Sequence, residues 1–172
     1  TVSDSGFSKI QLYSEQLDLP VHLHLHETAT EVTDSLRDIG VRPIERMNKL
    51  EILSPSLQAV HMTQLRDDEI KLLSVKGVQV AHCPESNMKL ASGIAPVPRI
   101  LEAGIAVGLG TDGCASNNDH DLFSEMDMAA KLHKVACMDP CVMDARTGLK
   151  MATIEGARAI GLDQHIGSIE RG

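Results

Sequence analysis

Tryptophan is missing from this chain, and one tyrosine and two phenylalanines are its only aromatic side chains apart from histidine. A core must therefore be assembled from Leu, Ile, Val, Met and Ala. Positive charge is scarce as well: 16 Lys and Arg stand against 24 Asp and Glu, for a net charge of −8. With no basic cluster set against that balance, a nucleic-acid or anionic-membrane surface is excluded as a partner. No apolar run approaches the roughly 20 residues of a membrane span, and the opening residues do not read as a signal peptide. The four cysteines, Cys83, Cys114, Cys137 and Cys141, have neither zinc-knuckle nor disulfide-scaffold spacing. Cys137 and Cys141 could share a helix face, but free buried thiols in a reducing cytoplasm are the expectation. What remains is 172 residues, 42% of them apolar, enough for one domain with a sizeable core.

The punctuation of the chain repeats. A helical stretch over 7–18, with Ser3, Asp4 and Ser5 as cap candidates, stops at Pro20 and leads into PVHLHLH. A helical region over 30–53, broken near Gly40-Val41-Arg42-Pro43, precedes a strand at 57–62. A helix over 66–77 carries acids in its first turn and Gly77 after its end. Strand 78–83, helix 94–104 and strand 105–112 follow, and then helices over 122–136, 142–152 and 153–161. Four strands each followed by helix call for a parallel sheet with helical crossovers, which an open doubly wound sheet and a (β/α)8 barrel both satisfy. No GxGxxG follows a strand, so the nucleotide-binding open sheet lacks its signature. Four units make half a barrel. Both ends look abrupt, and the chain reads as a segment of a longer protein.

Barrel enzymes place their chemistry at the C-terminal ends of strands, and here all four strands end in polar groups. The first carries His22, His24 and His26 and then Glu27, the second His61, the third His82, and the fourth Asp112. Side chains alternate along a strand, so the three histidines share one face while Leu23 and Leu25 take the other. Each feature has an ordinary explanation. His61 or His82 alone could be a hydrogen-bonded supporting residue, Asp112-Gly113 a turn, and the histidine face a solvated edge. Four successive strands ending in His, His, His and Asp are harder to obtain from packing alone. Imidazole and carboxylate are the donors a divalent ion such as Zn²⁺ prefers.

HLHET, AVHMTQL, AHCPESNMKLASGIAPV and GLGTDGCASNN, in this order and spacing, resemble the amidohydrolase superfamily, and within it the branch of 5-methylthioadenosine/S-adenosylhomocysteine deaminases and triazine hydrolases. The resemblance runs over nearly the whole chain. It implies strands five to eight of a metal-dependent (β/α)8 barrel over 1–162, with 163–172 beginning a return to a small β-domain. Carried over by position, it makes His24 and Asp112 metal ligands and Glu27 the proton-shuttling, substrate-touching acid. His61 becomes the histidine that meets the reactive water or substrate, and Asp112 touches the nucleophile too. His82, Ser86 and Asn87 would shape the pocket floor, and Ser116, Asn117 and Asn118 would form the loop after the last strand. The implied cofactor is one zinc ion, with iron or manganese as alternatives. The implied reaction is hydrolytic deamination of an adenosine-like aminopurine with release of ammonia; a chlorotriazine, aminotriazine or guanine-type substrate is the alternative. The family's first-strand HxH pair has no counterpart before His24. An inactive fragment is therefore a further reading, and the expected partner is the N-terminal half of the barrel or a second copy of the chain.

Overall fold

Alternating strand and helix signals resolve into thirteen elements over residues 2–171, which the computed structural model describes. Helix α1 (Asp4–Leu17) leads into strand β1 (Val21–Leu25), and α2 (Ala29–Ile39) and α3 (Pro43–Lys49) lead to β2 (Leu57–His61). Helix α4 (Asp67–Lys76) precedes β3 (Gln79–His82); α5 (Pro84–Lys89) and α6 (Val97–Glu102) precede β4 (Val107–Leu109). Helices α7 (Leu122–Cys137), α8 (Ala145–Ala152) and α9 (Ile154–Ala159) follow. The strands form one parallel sheet in the order β1-β2-β3-β4. His24 lies opposite Val60, Val60 opposite Ala81, and Ala81 opposite Gly108. Consecutive parallel neighbours without a reversal of strand order trace an arc of a (β/α)8 barrel; a doubly wound sheet would reverse at its switch point.

Local chemistry sets the element ends. Of the three cap candidates, Ser3 takes the role, its hydroxyl accepting from Gly6 N–H. Gly40, at φ 82°, ends α2 in the left-handed conformation, and Pro43 opens α3, which accounts for the break expected there. The strand expected over 105–112 is shorter, because the chain leaves extended geometry after Leu109. Helix α5 was not expected; Pro84 starts it directly at the end of β3. Residues 163–168 form turns and bends, and no strand follows over 169–171.

Alternation divides the sheet into two faces. Leu25, Leu57, Ala59, Val80 and Val107 join the main core beneath the helices. Val60, Ala81 and Cys83 form a smaller cluster on the other face, which the register shares with His24. All four cysteines are free, as expected, but only Cys83 is buried; Cys114, Cys137 and Cys141 are exposed. Their helices and loops turn those positions outward. Among the described residues no helix is long and apolar enough to cross a membrane.

Helix α9 crosses β4 where both lack side chains: a Cβ on Gly108 would meet the Gly156 Cα at 3.0 Å. Gly108→Val should therefore push the helix off the strand. Overpacking of this kind costs about 1–3 kcal/mol, to be read as a lowered urea midpoint with unchanged slope.

Candidate metal centre

Several residues at the ends of β1, β2 and β4 adopt positive φ. His26 (54°), His61 (74°), Met62 (54°) and Asp112 (60°) all lie in the left-handed region, which non-glycine residues seldom occupy. The twist has a use at position 61. Strict alternation would send His61 to the helix side with Leu57 and Ala59. Instead its ring stacks on that of His24, with centroids 5.1 Å apart and planes 28° from parallel.

Each donor is held by hydrogen bonds to its remote atoms. His61 Nδ1 donates to Asn87 Oδ1 at 2.8 Å, which leaves Nε2 as a lone pair. That Nε2 is buried and has no hydrogen-bond partner, a state that costs free energy unless something fills it. Asp112 Oδ2 accepts from the hydroxyls of Ser86 and Ser116, both at 2.7 Å. The other oxygen, Oδ1, is left facing His24 Nε2 at 3.8 Å. Burial works to raise the Asp112 pKa, but the hydroxyls of Ser116 and Ser86, the Gly113 N–H and His61 outweigh it and bring it down to about 2. The group is a carboxylate at neutral pH.

His24, His61 and Asp112 each offer one ligand atom within 4.8 Å of the others, the one group of three or more such donors among the described residues. These side chains fit a divalent ion. Two donors each about 2.1 Å from one Zn²⁺ can stand at most about 4.2 Å apart, and the His24–Asp112 separation of 3.8 Å satisfies that limit. The partnerless His61 Nε2 opens onto the same space.

Glu27 borders it. Its Oε2 lies 4.0 Å from His61 Nε2, and Ser92 Oγ donates weakly to Oε1 at 3.4 Å. The backbone there is pinned on both sides: Glu27 N–H donates to Glu31 Oε2 at 2.7 Å, and Glu27 O accepts from Thr63 Oγ1 at 2.6 Å. His24, Glu27, His61 and Asp112 thus come together from three strand ends.

The other histidines do not join them. His22 stays on the His24 face, edge-on to that ring at 6.3 Å, and pairs with Gln58 Oε1. The expectation that His26 shares this face fails, because positive φ turns it inward. It is fully buried, accepting from Ile44 N–H at Nε2 and donating from Nδ1 to Gln64 O. Burial chiefly, with Arg42 assisting, lowers its pKa to about 4, against the opposing charge of Glu69. His82 is not on the pocket floor. It follows Val80 onto the helix side, where its Nε2 meets His133 Nε2 of α7 at 3.1 Å. Ser86 and Asn87 do shape the site, as the partners of Asp112 and His61.

Beneath His26, Arg42 grips Glu69 through Nε–Oε1 at 2.6 Å and Nη2–Oε2 at 2.9 Å, and also donates to Gln64 O at 2.6 Å. This pair fastens the loop after β2. Arg42→Ala would strand a Glu69 side chain that is 6% exposed. The expected loss of stability is about 3 kcal/mol, the low end for breaking a buried ion pair, because Arg66 N–H still donates to Glu69. Chemical denaturation measures it.

Sequence reasoning passed over Glu125 and the bracing role of Asn117, both fully buried. Burial first, with Glu85 nearby, pushes the Glu125 carboxyl up to about 7 against hydrogen bonds from Glu85 N–H and Asn117. A signal was present: Glu125, Ala129 and His133 are buried at four-residue steps along α7, so polar residues occupy the stripe that apolar ones normally fill.

A model of the amidohydrolase family matches residues 1–172. A 5-methylthioadenosine/S-adenosylhomocysteine deaminase of Saccharophagus degradans is 47% identical over 172 residues, covering 100% of this chain and 39% of its own length. The crystal structure of an adenosine deaminase from Xanthomonas campestris with bound zinc superposes with a TM-score of 0.98 at 51% identity, over 100% of this chain and 39% of that one. An atrazine chlorohydrolase from Arthrobacter aurescens, complexed with zinc, gives 0.92 at 28% identity, over 99% and 38%. The chain thus spans about two fifths of the length of these relatives, and its four βα units are one segment of their barrel.

Proposed function

The chain belongs to the amidohydrolase family, and from that premise we propose that it contributes the second half of the active site of a zinc-dependent deaminase. The substrate in this reading is an adenosine-like aminopurine of the 5-methylthioadenosine or S-adenosylhomocysteine class, and the product is released with ammonia. One observation carries the proposal: His24 Nε2 and Asp112 Oδ1 stand 3.8 Å apart at opposite ends of the sheet, next to the partnerless His61 Nε2. The similarity to deaminases supports the choice of substrate.

In this reading His24 and Asp112 hold the ion. Bound zinc supplies Lewis acidity, which makes water a nucleophile at neutral pH. Glu27 Oε2, beside His61 Nε2, takes a proton from that water and delivers it to a ring nitrogen of the purine, making the adjacent carbon electrophilic. Asn87 keeps the proton of His61 on Nδ1, so Nε2 accepts a hydrogen bond from the incoming water and orients it. Asp112, kept anionic by Ser86 and Ser116, opposes the positive charge of the centre and directs the water. The water oxygen then bonds to that carbon, its remaining proton passes through Glu27 to the amino group, and the C–N bond breaks to release ammonia and leave a ring carbonyl.

Two protein donors hold zinc weakly, so we place the remaining ligands on polypeptide outside residues 1–172. Residues 1–162 then form the barrel portion and 163–172 the path toward a further small domain, and a cytoplasmic setting fits this chemistry. The complete protein should release ammonia from methylthioadenosine or S-adenosylhomocysteine in preference to guanine, and should leave a chlorotriazine intact. Chloride release from the triazine with no ammonia from either nucleoside would replace this reading with dechlorination, which the likeness to the chlorohydrolase makes the second reading.

A further inference from the structure

Glu125 lies on the first turns of α7, away from the proposed metal donors, yet it is fully buried and its two oxygens are divided between the start of α5 and the loop after β4. Oε2 accepts from the backbone N–H of Glu85 at 3.2 Å, in the segment that continues from β3. Oε1 accepts from Asn117 Nδ2 at 2.5 Å. The same Asn117 nitrogen donates to Thr111 O at 2.8 Å, one residue before Asp112. Ser86 and Asn87 come directly after Glu85, and they hold Asp112 Oδ2 and His61 Nδ1 respectively.

We propose that Glu125 is a positioning residue of the metal centre: one carboxylate ties together helix α5, which bears Ser86 and Asn87, and the loop bearing Asp112 and Ser116. The separation of helix and loop decides whether Ser86 joins Ser116 on Asp112 Oδ2, and so how firmly Oδ1 is aimed at the ion. A neutral amide cannot do this. Glutamine offers one acceptor and one donor where the structure presents two donors, Glu85 N–H and Asn117 Nδ2, so one of the two ties must be released. The alternative role, a buried carboxylate that only fastens α7 to the sheet, would lower stability without altering metal binding in the folded protein.

The inference rests on His24 and Asp112 as metal donors, and the test separates the two ideas. Zinc affinity of the complete protein is measured by chelator competition, and the visible absorption of the cobalt form is recorded. Both are done at about pH 8, where Glu125 is ionised, for wild type, Glu125→Gln and Glu125→Asp, at a temperature where circular dichroism shows each folded. Glu125→Gln should bind zinc about 10–100-fold more weakly, the usual penalty for losing support behind a ligand, and its cobalt bands should shift. Glu125→Asp keeps both acceptors but withdraws them by a methylene, so it should show a smaller loss in the same direction. It carries the test if the glutamine variant does not fold. Affinity and spectrum matching wild type in the folded variants, even with lowered melting temperatures, would overturn the positioning role. A wild-type protein that binds neither zinc nor cobalt would overturn the metal reading and this inference with it.

Discussion

Glu27→Gln should leave the metal content of the complete enzyme unchanged and cut its turnover by at least about a hundredfold, the lower end of what a lost general acid–base group costs. The separation of these two effects comes from the geometry. Glu27 is not among the three donors that converge within 4.8 Å; its Oε2 stands off, 4.0 Å from His61 Nε2. Glutamine has nearly the same shape, and the anchors of this segment are backbone groups, Glu27 N–H to Glu31 and Glu27 O from Thr63. The side chain should stay in place while losing its ability to carry a proton. Metal analysis and steady-state kinetics on the same preparation decide the matter. Normal turnover would remove Glu27 from the proton path, and lost metal would make it a ligand.

Asp112→Ala should instead lower metal content and turnover together. The carboxylate is the anionic member of the donor group, and its charge is secured at neutral pH by a pKa of about 2. Removing it deletes a ligand outright and leaves the Ser86 and Ser116 hydroxyls pointing at a void. The drop in zinc affinity should therefore exceed the roughly 10–100-fold that follows loss of a supporting hydrogen bond. Ser86→Ala, which removes one such bond and spares the ligand, should fall within that smaller range. Equal losses for the two variants would mean that Asp112 serves the fold and not the ion.

The fold was legible because its signals are local. VHLHL alternates, and Gly40, Pro43 and Gly77 stand where chain direction changes. The four strand ends were visible for the same reason, and His24, Glu27, His61 and Asp112 do meet. Alternation misplaced His26, because it extends a two-residue period past the point where φ turns positive. His82 obeys that period and so lies beneath the helices, away from the pocket. The support behind the ligands was the least legible layer. The Glu85–Glu125 and Ser86–Asp112 contacts join residues that only a folded sheet brings together. No spacing rule links position 85 to position 125.

Crystals of the complete protein grown with zinc, and diffraction data collected at the zinc absorption edge, put the central claim to its most direct test. The account predicts an anomalous peak about 2.0–2.2 Å from both His24 Nε2 and an Asp112 carboxylate oxygen, with Glu27 outside that distance. An anomalous map empty between those two side chains, or a peak on other residues with His24 and Asp112 uninvolved, would contradict it.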